Sequence, residues 1–75
     1  MAEFSKNEQA LAATMDSFHW RAWLSFEDLE VSGSGKITMV NLLKKKHVEC
    51  KNIKDVDHYR LTSRGRKLLR LELND

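Results

Sequence analysis

The sequence has no proline, only three glycines and a single cysteine, Cys50, among its 75 residues. One thiol allows no intrachain disulfide, and a lone thiol is typical of a reducing compartment, so the expected location is the cytoplasm. No apolar run approaches the roughly 20 residues that span a bilayer, and the first residues lack the basic-then-apolar order of a signal peptide. A chain this short predicts one domain over residues 1–75, with too little interior for a deep catalytic pocket. We therefore expect neither an enzyme nor a membrane protein.

Charge, by contrast, is abundant and unevenly distributed along the chain. Residues 1–35 hold two basic and six acidic residues, a net charge of −4. Residues 36–70 hold eleven basic and three acidic residues, a net charge of +8. This asymmetry indicates one part of the chain that faces a polyanion and another that is turned away from it. A solvated surface of uneven composition would have the same distribution of charge.

Capping signals and hydrophobic periodicity predict helices at both ends of the chain. Ser5 and Glu8 form a capping-box pattern that starts a helix over 6–17. The core stripe of that helix is expected to be Phe4, Leu11, Met15 and Phe18. Thr62 caps a last helix over 63–73, whose inward residues are expected to be Leu68, Leu69 and Leu71.

Two further helices are predicted in the middle, separated by the glycine turn at 32–35. Ser25 caps a short helix over 26–31, with Phe26 and Leu29 facing inward. A longer helix covers 36–46, and its buried face is expected to contain Ile37, Val40 and Leu43, flanked by Met39 and Leu42. Its polar face then carries Thr38, Asn41, Lys44 and Lys45, a mixture suited to base edges and phosphates or to ordinary solvent exposure.

Alternation of side-chain character predicts extended segments between the helices. Residues 19–24 indicate a brief strand or connector, and residues 48–50 and 57–61 indicate a hairpin whose tip spans 51–55. The alternation places Cys50 on the same face as Val48, in the core.

Residues 59–69 resemble the Y-x-L-T-x-x-G-x-x-L-L pattern that closes the wing in many bacterial and phage-type winged helix-turn-helix regulators. In this pattern Tyr59 and Leu61 anchor the returning strand, Thr62 caps the next helix, and Gly65 permits close packing. The resemblance covers about residues 5–73 and departs at Lys46-His47, where the family usually has a small or glycine-leucine pair. It implies an α+β fold with a three-helix core, a two- to three-stranded β-wing and a C-terminal helix.

The same resemblance implies a stand-alone transcriptional regulator that binds double-stranded DNA. Helix 36–46 is expected in the major groove and the 51–55 wing on the backbone. Asparagine suits adenine, and the start of the helix suits a phosphate. The expected DNA contacts are Ser34, Lys36, Thr38, Asn41, Lys44, Lys45, Lys51, Lys54 and Arg64. A monomer with so few contacts binds weakly, so a homodimer on a two-fold site is expected.

The sequence also allows functions other than DNA binding. Winged helices also dock proteins, so the basic face is open to an acidic partner, and Trp20 or Trp23 to a larger complex. No cofactor or metal is expected, because His19, His47, His58 and Cys50 lack ligand spacing and are interpreted as surface histidines and a small buried thiol. The acidic residues Asp16, Glu27, Asp28 and Glu30 are interpreted as helix-start charges that aid solubility, without a catalytic carboxylate pair.

Overall fold

The computed structural model describes residues 3–19 and 21–74, and within these ranges the chain is a small α+β domain with four helices and one two-stranded antiparallel sheet. The elements follow in the order α1 (Lys6–Phe18), α2 (Phe26–Leu29), α3 (Ser34–Lys44), β1 (Val48–Ile53), β2 (Val56–Leu61) and α4 (Ser63–Leu73). None of these helices combines the length and apolar character needed to cross a bilayer. The predicted bounds of the last helix are confirmed, whereas α2 is shorter than predicted.

Side-chain caps set the beginnings of three helices, as the sequence predicts. The Ser5 hydroxyl accepts a hydrogen bond from the Glu8 N–H at 3.2 Å, and the Glu8 carboxylate accepts one from the Ser5 N–H at 3.0 Å. Ser25 and Asp28 form the same reciprocal pair at the start of α2, and these hydrogen bonds lower the pKa of Asp28. The Thr62 hydroxyl accepts from the Gly65 N–H at 3.0 Å. Each cap satisfies a backbone donor that the helix itself leaves unpaired.

The third helix begins and ends two residues earlier than the predicted span of 36–46. It closes through Lys46, which has a left-handed backbone with φ of 64°. The Lys46 N–H donates to Leu43 O and the His47 N–H donates to Leu42 O, both at 3.0 Å, which is the Schellman arrangement usually built on glycine. His47 is then only 1% exposed, with its ring 4.7 Å from that of Phe4. The prediction of a surface histidine at this position is wrong, because the turn directs the ring into the core.

The hairpin is longer and its tip narrower than the sequence predicts. The register pairs Val48 with Leu61 at one end and Ile53 with Val56 at the other. The turn consists of Lys54 and Asp55, whose φ values of 52° and 67° are typical of the type I′ turn that matches strand twist. Beside β2, Leu24 exchanges two backbone hydrogen bonds with Tyr59, at 2.8 and 2.7 Å. The extended segment predicted before α2 therefore becomes a single bridge at the edge of the sheet.

The core lies where α1, α3 and α4 meet the sheet, and its largest fully buried apolar side chains are Met15, Met39, Leu42, Leu61 and Leu69. Four helix residues predicted to be inward are instead exposed, namely Phe18 at 52%, Ile37 at 65%, Val40 at 46% and Leu71 at 59%. On α3 the reason is that Met39 and Leu42 form the buried stripe, so the helix is rotated away from the predicted face. Phe18 is the last residue of α1.

Candidate nucleic-acid interface

The solvent-exposed side of α3 carries a mixed apolar and polar stripe. We call Ile37, Val40, Asn41 and Lys44 the α3 outer face. Their spacing of i, i+3, i+4 and i+7 aligns them along one side of the helix, and all four are exposed. The α3 sequence contains no aspartate or glutamate. This face therefore combines apolar contact surface, an amide and a cation, without an acidic group from its own helix.

Two of the predicted contacts near the start of α3 lie away from this face. Thr38 is 8% exposed, and its hydroxyl donates to Ser34 O at 3.1 Å, so its place on a polar base-reading stripe is a wrong prediction. Ser34 is exposed but borders a shallow cleft toward α1, where it faces Asn7 and Leu11. Thr38 faces inward because α3 places it beside the buried residues Met39 and Leu42.

Lys45 has a structural partner that the sequence did not reveal. Its ammonium lies 2.7 Å from the Glu8 carboxylate, whose side chain is 6% exposed, and it also donates to Glu3 O at 3.3 Å. Burial on its own would raise the pKa of Glu8, but the hydrogen bonds from Lys45 and Ser5 and the charge of Lys45 lower it below the ordinary value of 4.5. Lys45 therefore holds α3 to α1, and its expected role as a DNA contact stays a prediction.

Lys36 lies at the junction between α3 and the sheet. Its ammonium is 5.5 Å from the centre of the Phe26 ring, and that ring stacks on Tyr59 with centroids 4.9 Å apart. A cation over an aromatic face is held in place while it stays exposed to solvent. Lys36 thus adds positive charge beside the α3 outer face.

The two lysines predicted on the wing lie in different environments. Lys54 is exposed in the hairpin turn, as predicted. Lys51 lies within β1 instead of at the tip, and its ammonium is 5.7 Å from the Trp23 ring. The Arg60 guanidinium covers the same ring at 4.2 Å and pairs with Glu49 at 2.9 Å. Trp23 is half-buried under these cations, and Trp20 lies outside the described residues.

The basic residues of α4 are partly neutralised by the acidic first half of the chain. Asp16 on α1 forms ion pairs with Arg66 at 3.5 Å and with Arg70 at 3.2 Å, and its side chain is 15% exposed. Its predicted role as a mere solubility charge is therefore wrong. Arg64 is exposed in the first turn of α4, a helix that packs mainly on α1. The charge asymmetry thus produces internal ion pairs as well as exposed positive charge.

Cys50 is exposed, which contradicts its predicted place in the core. It pairs across the ladder with Tyr59. Partial desolvation there and the negative charge of Asp57 raise the pKa of the thiol, so it is protonated at neutral pH and a poor nucleophile. Within the described ranges, no three histidine, cysteine, aspartate or glutamate side chains are placed to hold a metal ion.

Sequence reasoning missed Ile37 and Val40 as surface residues. Two apolar stripes are available on this helix, one through Ile37, Val40 and Leu43 and one through Met39, Leu42 and Leu43. Periodicity alone does not decide between them. Thr38 lies beside the second stripe, but it does not mark that side of the helix as exposed. A threonine hydroxyl can hydrogen-bond to its own helix backbone, so the residue can be buried.

No protein-family model, curated protein or solved structure matches the chain.

Proposed function

We propose that the chain is a winged helix-turn-helix protein that binds duplex DNA as a transcriptional regulator, with the α3 outer face in the major groove. The element order supports this proposal, since α1, α2 and α3 are followed by the β1–β2 hairpin and then α4. In this proposal the isolated Leu24–Tyr59 bridge corresponds to the short third strand of the wing. The proposed role of the chain is to bind DNA without catalysing a reaction, in a compartment that contains DNA.

The α3 outer face carries the proposal. A helix that enters a major groove needs side chains for base edges and cations for phosphates. Asn41 and Lys44 supply both from one face, and Lys36 adds a cation at its border. Lys54 at the hairpin turn is the proposed wing contact with the backbone. A two-fold pair of such domains is the proposed form for specific binding, because one domain makes few contacts.

A titration of a fluorescent random-sequence duplex tests this function. With about three phosphates neutralised, we expect affinity to fall roughly 40-fold between ~50 and ~200 mM salt. Lys44→Glu is expected to weaken binding roughly tenfold at the lower salt concentration. Lys67→Glu is the matched control, because it makes the same charge change on exposed α4 and is expected to have a much smaller effect.

Two results would contradict DNA binding. One is the absence of binding at ~50 mM salt with a folded protein, and the other is an equal loss for Lys44→Glu and Lys67→Glu. The rival function is docking of a protein partner, which the exposed apolar side chains of Ile37 and Val40 favour. That rival gains if Ile37→Ala abolishes a purified protein complex while no duplex is bound.

A further inference from the structure

We infer that Ile37 and Val40 read thymine methyl groups in the major groove, which makes thymine content the first determinant of the DNA site. This inference rests on the proposed duplex binding and adds its specificity. It starts from the placement of two β-branched residues on the helix surface, 65% and 46% exposed, while Met39 and Leu42 of the same helix are fully buried.

The surroundings of the two residues favour DNA over an apolar protein partner. Isolated apolar residues on a surface need no explanation, but these two are one turn apart on one face. Lys36 and Lys44 lie one turn from Val40 on either side, and α3 contributes no carboxylate. An apolar pair bordered by cations complements a groove whose floor is partly apolar and whose walls are phosphates.

The methyl group is the apolar feature that the major groove offers. Thymine alone among the four bases carries a methyl at C5, and apolar side chains contact it directly. Residues three apart on a helix are separated by about 4.5 Å along its axis, close to the ~3.4 Å rise between base pairs. Ile37 and Val40 therefore reach neighbouring steps, with Asn41 beside them for an adenine edge. The recognised class is duplex DNA with two close T·A pairs.

Replacing thymine by uracil tests the inference, since it deletes the methyl and keeps every hydrogen-bonding group. The probe is a duplex recovered by selection from a random pool and synthesised with either base. Each buried methyl is worth about fourfold in affinity, so two give roughly 15-fold weaker binding to the uracil duplex.

A protein variant without the two side chains completes a double-mutant cycle with the thymine-to-uracil replacement. In Ile37→Ala/Val40→Ala the thymine-to-uracil ratio is expected to fall to about one, because the contacts are gone. Val56→Ala is the control, because Val56 is also 50% exposed but lies at the hairpin end, and its ratio is expected to match the wild type. Circular dichroism checks that both variants are folded.

The outcomes separate the inference from the proposed function. Tight, salt-dependent binding with equal affinity for both duplexes overturns methyl reading and leaves DNA binding intact. A ratio that persists in the double alanine variant overturns the assignment to these two residues. If no duplex is bound at low salt, the proposed function fails and the inference falls with it.

Discussion

Gly65→Ala is expected to lower the free energy of unfolding by roughly 3 kcal/mol or more, which is most of the stability of the domain. A β-carbon built at this position lies 2.1 Å from His47 O and 2.8 Å from the Cα of the same residue. These are backbone atoms, so no side-chain rotation relieves the overlap. The same carbonyl accepts the Thr62 N–H at 3.0 Å, and the Thr62 hydroxyl donates to Lys46 O, so α4 is held directly against the end of α3.

Urea and thermal unfolding followed by circular dichroism measure this effect. In a domain of this size, a loss of ~3 kcal/mol lowers the melting temperature by roughly 12–24 °C. Gly35→Ala is the matched control, since it adds a β-carbon near the start of α3, where the closest atom is a methyl of Val31. Relief by side-chain movement and the better helix propensity of alanine should keep that variant within about 1 kcal/mol of the wild type. Equal stability of the two variants would contradict the proposed packing of α4.

Lys45→Met is expected to destabilise the domain by about 1–3 kcal/mol at pH 7, because it leaves the buried Glu8 carboxylate without its cation. Glu8 then keeps its hydrogen bond from the Ser5 N–H, which does not replace the lost charge. Lys44→Met is the control, since Lys44 is the preceding residue and its side chain is exposed. Its substitution is expected to cost only a few tenths of a kcal/mol, through the lost interaction with the helix dipole. The free energy of unfolding in urea gives both values.

The pH dependence of the same variant provides a second check. The pKa of Glu8 is lowered in the folded protein, so its contribution to stability is complete above its ordinary value of 4.5 and is lost as the pH falls through the folded value. In Lys45→Met the Ser5 N–H still favours the charged carboxylate, but the lysine no longer does, so the pKa of Glu8 in the folded protein is expected to rise. The stability difference between wild type and variant should therefore shrink on acidification below about pH 4.5. A difference that stays constant from pH 7 to the acid range would contradict the ion pair.

Local signals in this sequence predict local structure well. The caps at Ser5, Ser25 and Thr62 depend on residues three positions away, and each is present in the structure. Gly65 was also predictable as a packing position, because a glycine inside a helix costs stability unless something lies close to it. The pattern therefore identified most elements and their starting points.

The long-range partners of the charged residues were not predictable. Lys45 pairs with a residue 37 positions away, and Asp16 pairs with two arginines of the last helix. Such pairs depend on how α1 packs on α3 and α4, which hydrophobic spacing leaves undetermined. For the same reason the rotation of α3 was missed, and with it the exposure of Ile37 and Val40 and the burial of Thr38.

An NMR titration of the labelled chain with duplex DNA at low salt tests most directly whether the α3 outer face is the contact surface. The amide signals of Ile37, Asn41 and Lys44 are expected to shift most, together with that of Lys54 in the hairpin turn. The amides of Leu71 and its neighbours on α4 should stay in place. Shifts centred on α4 or around Trp23, with the α3 signals unchanged, would contradict the account.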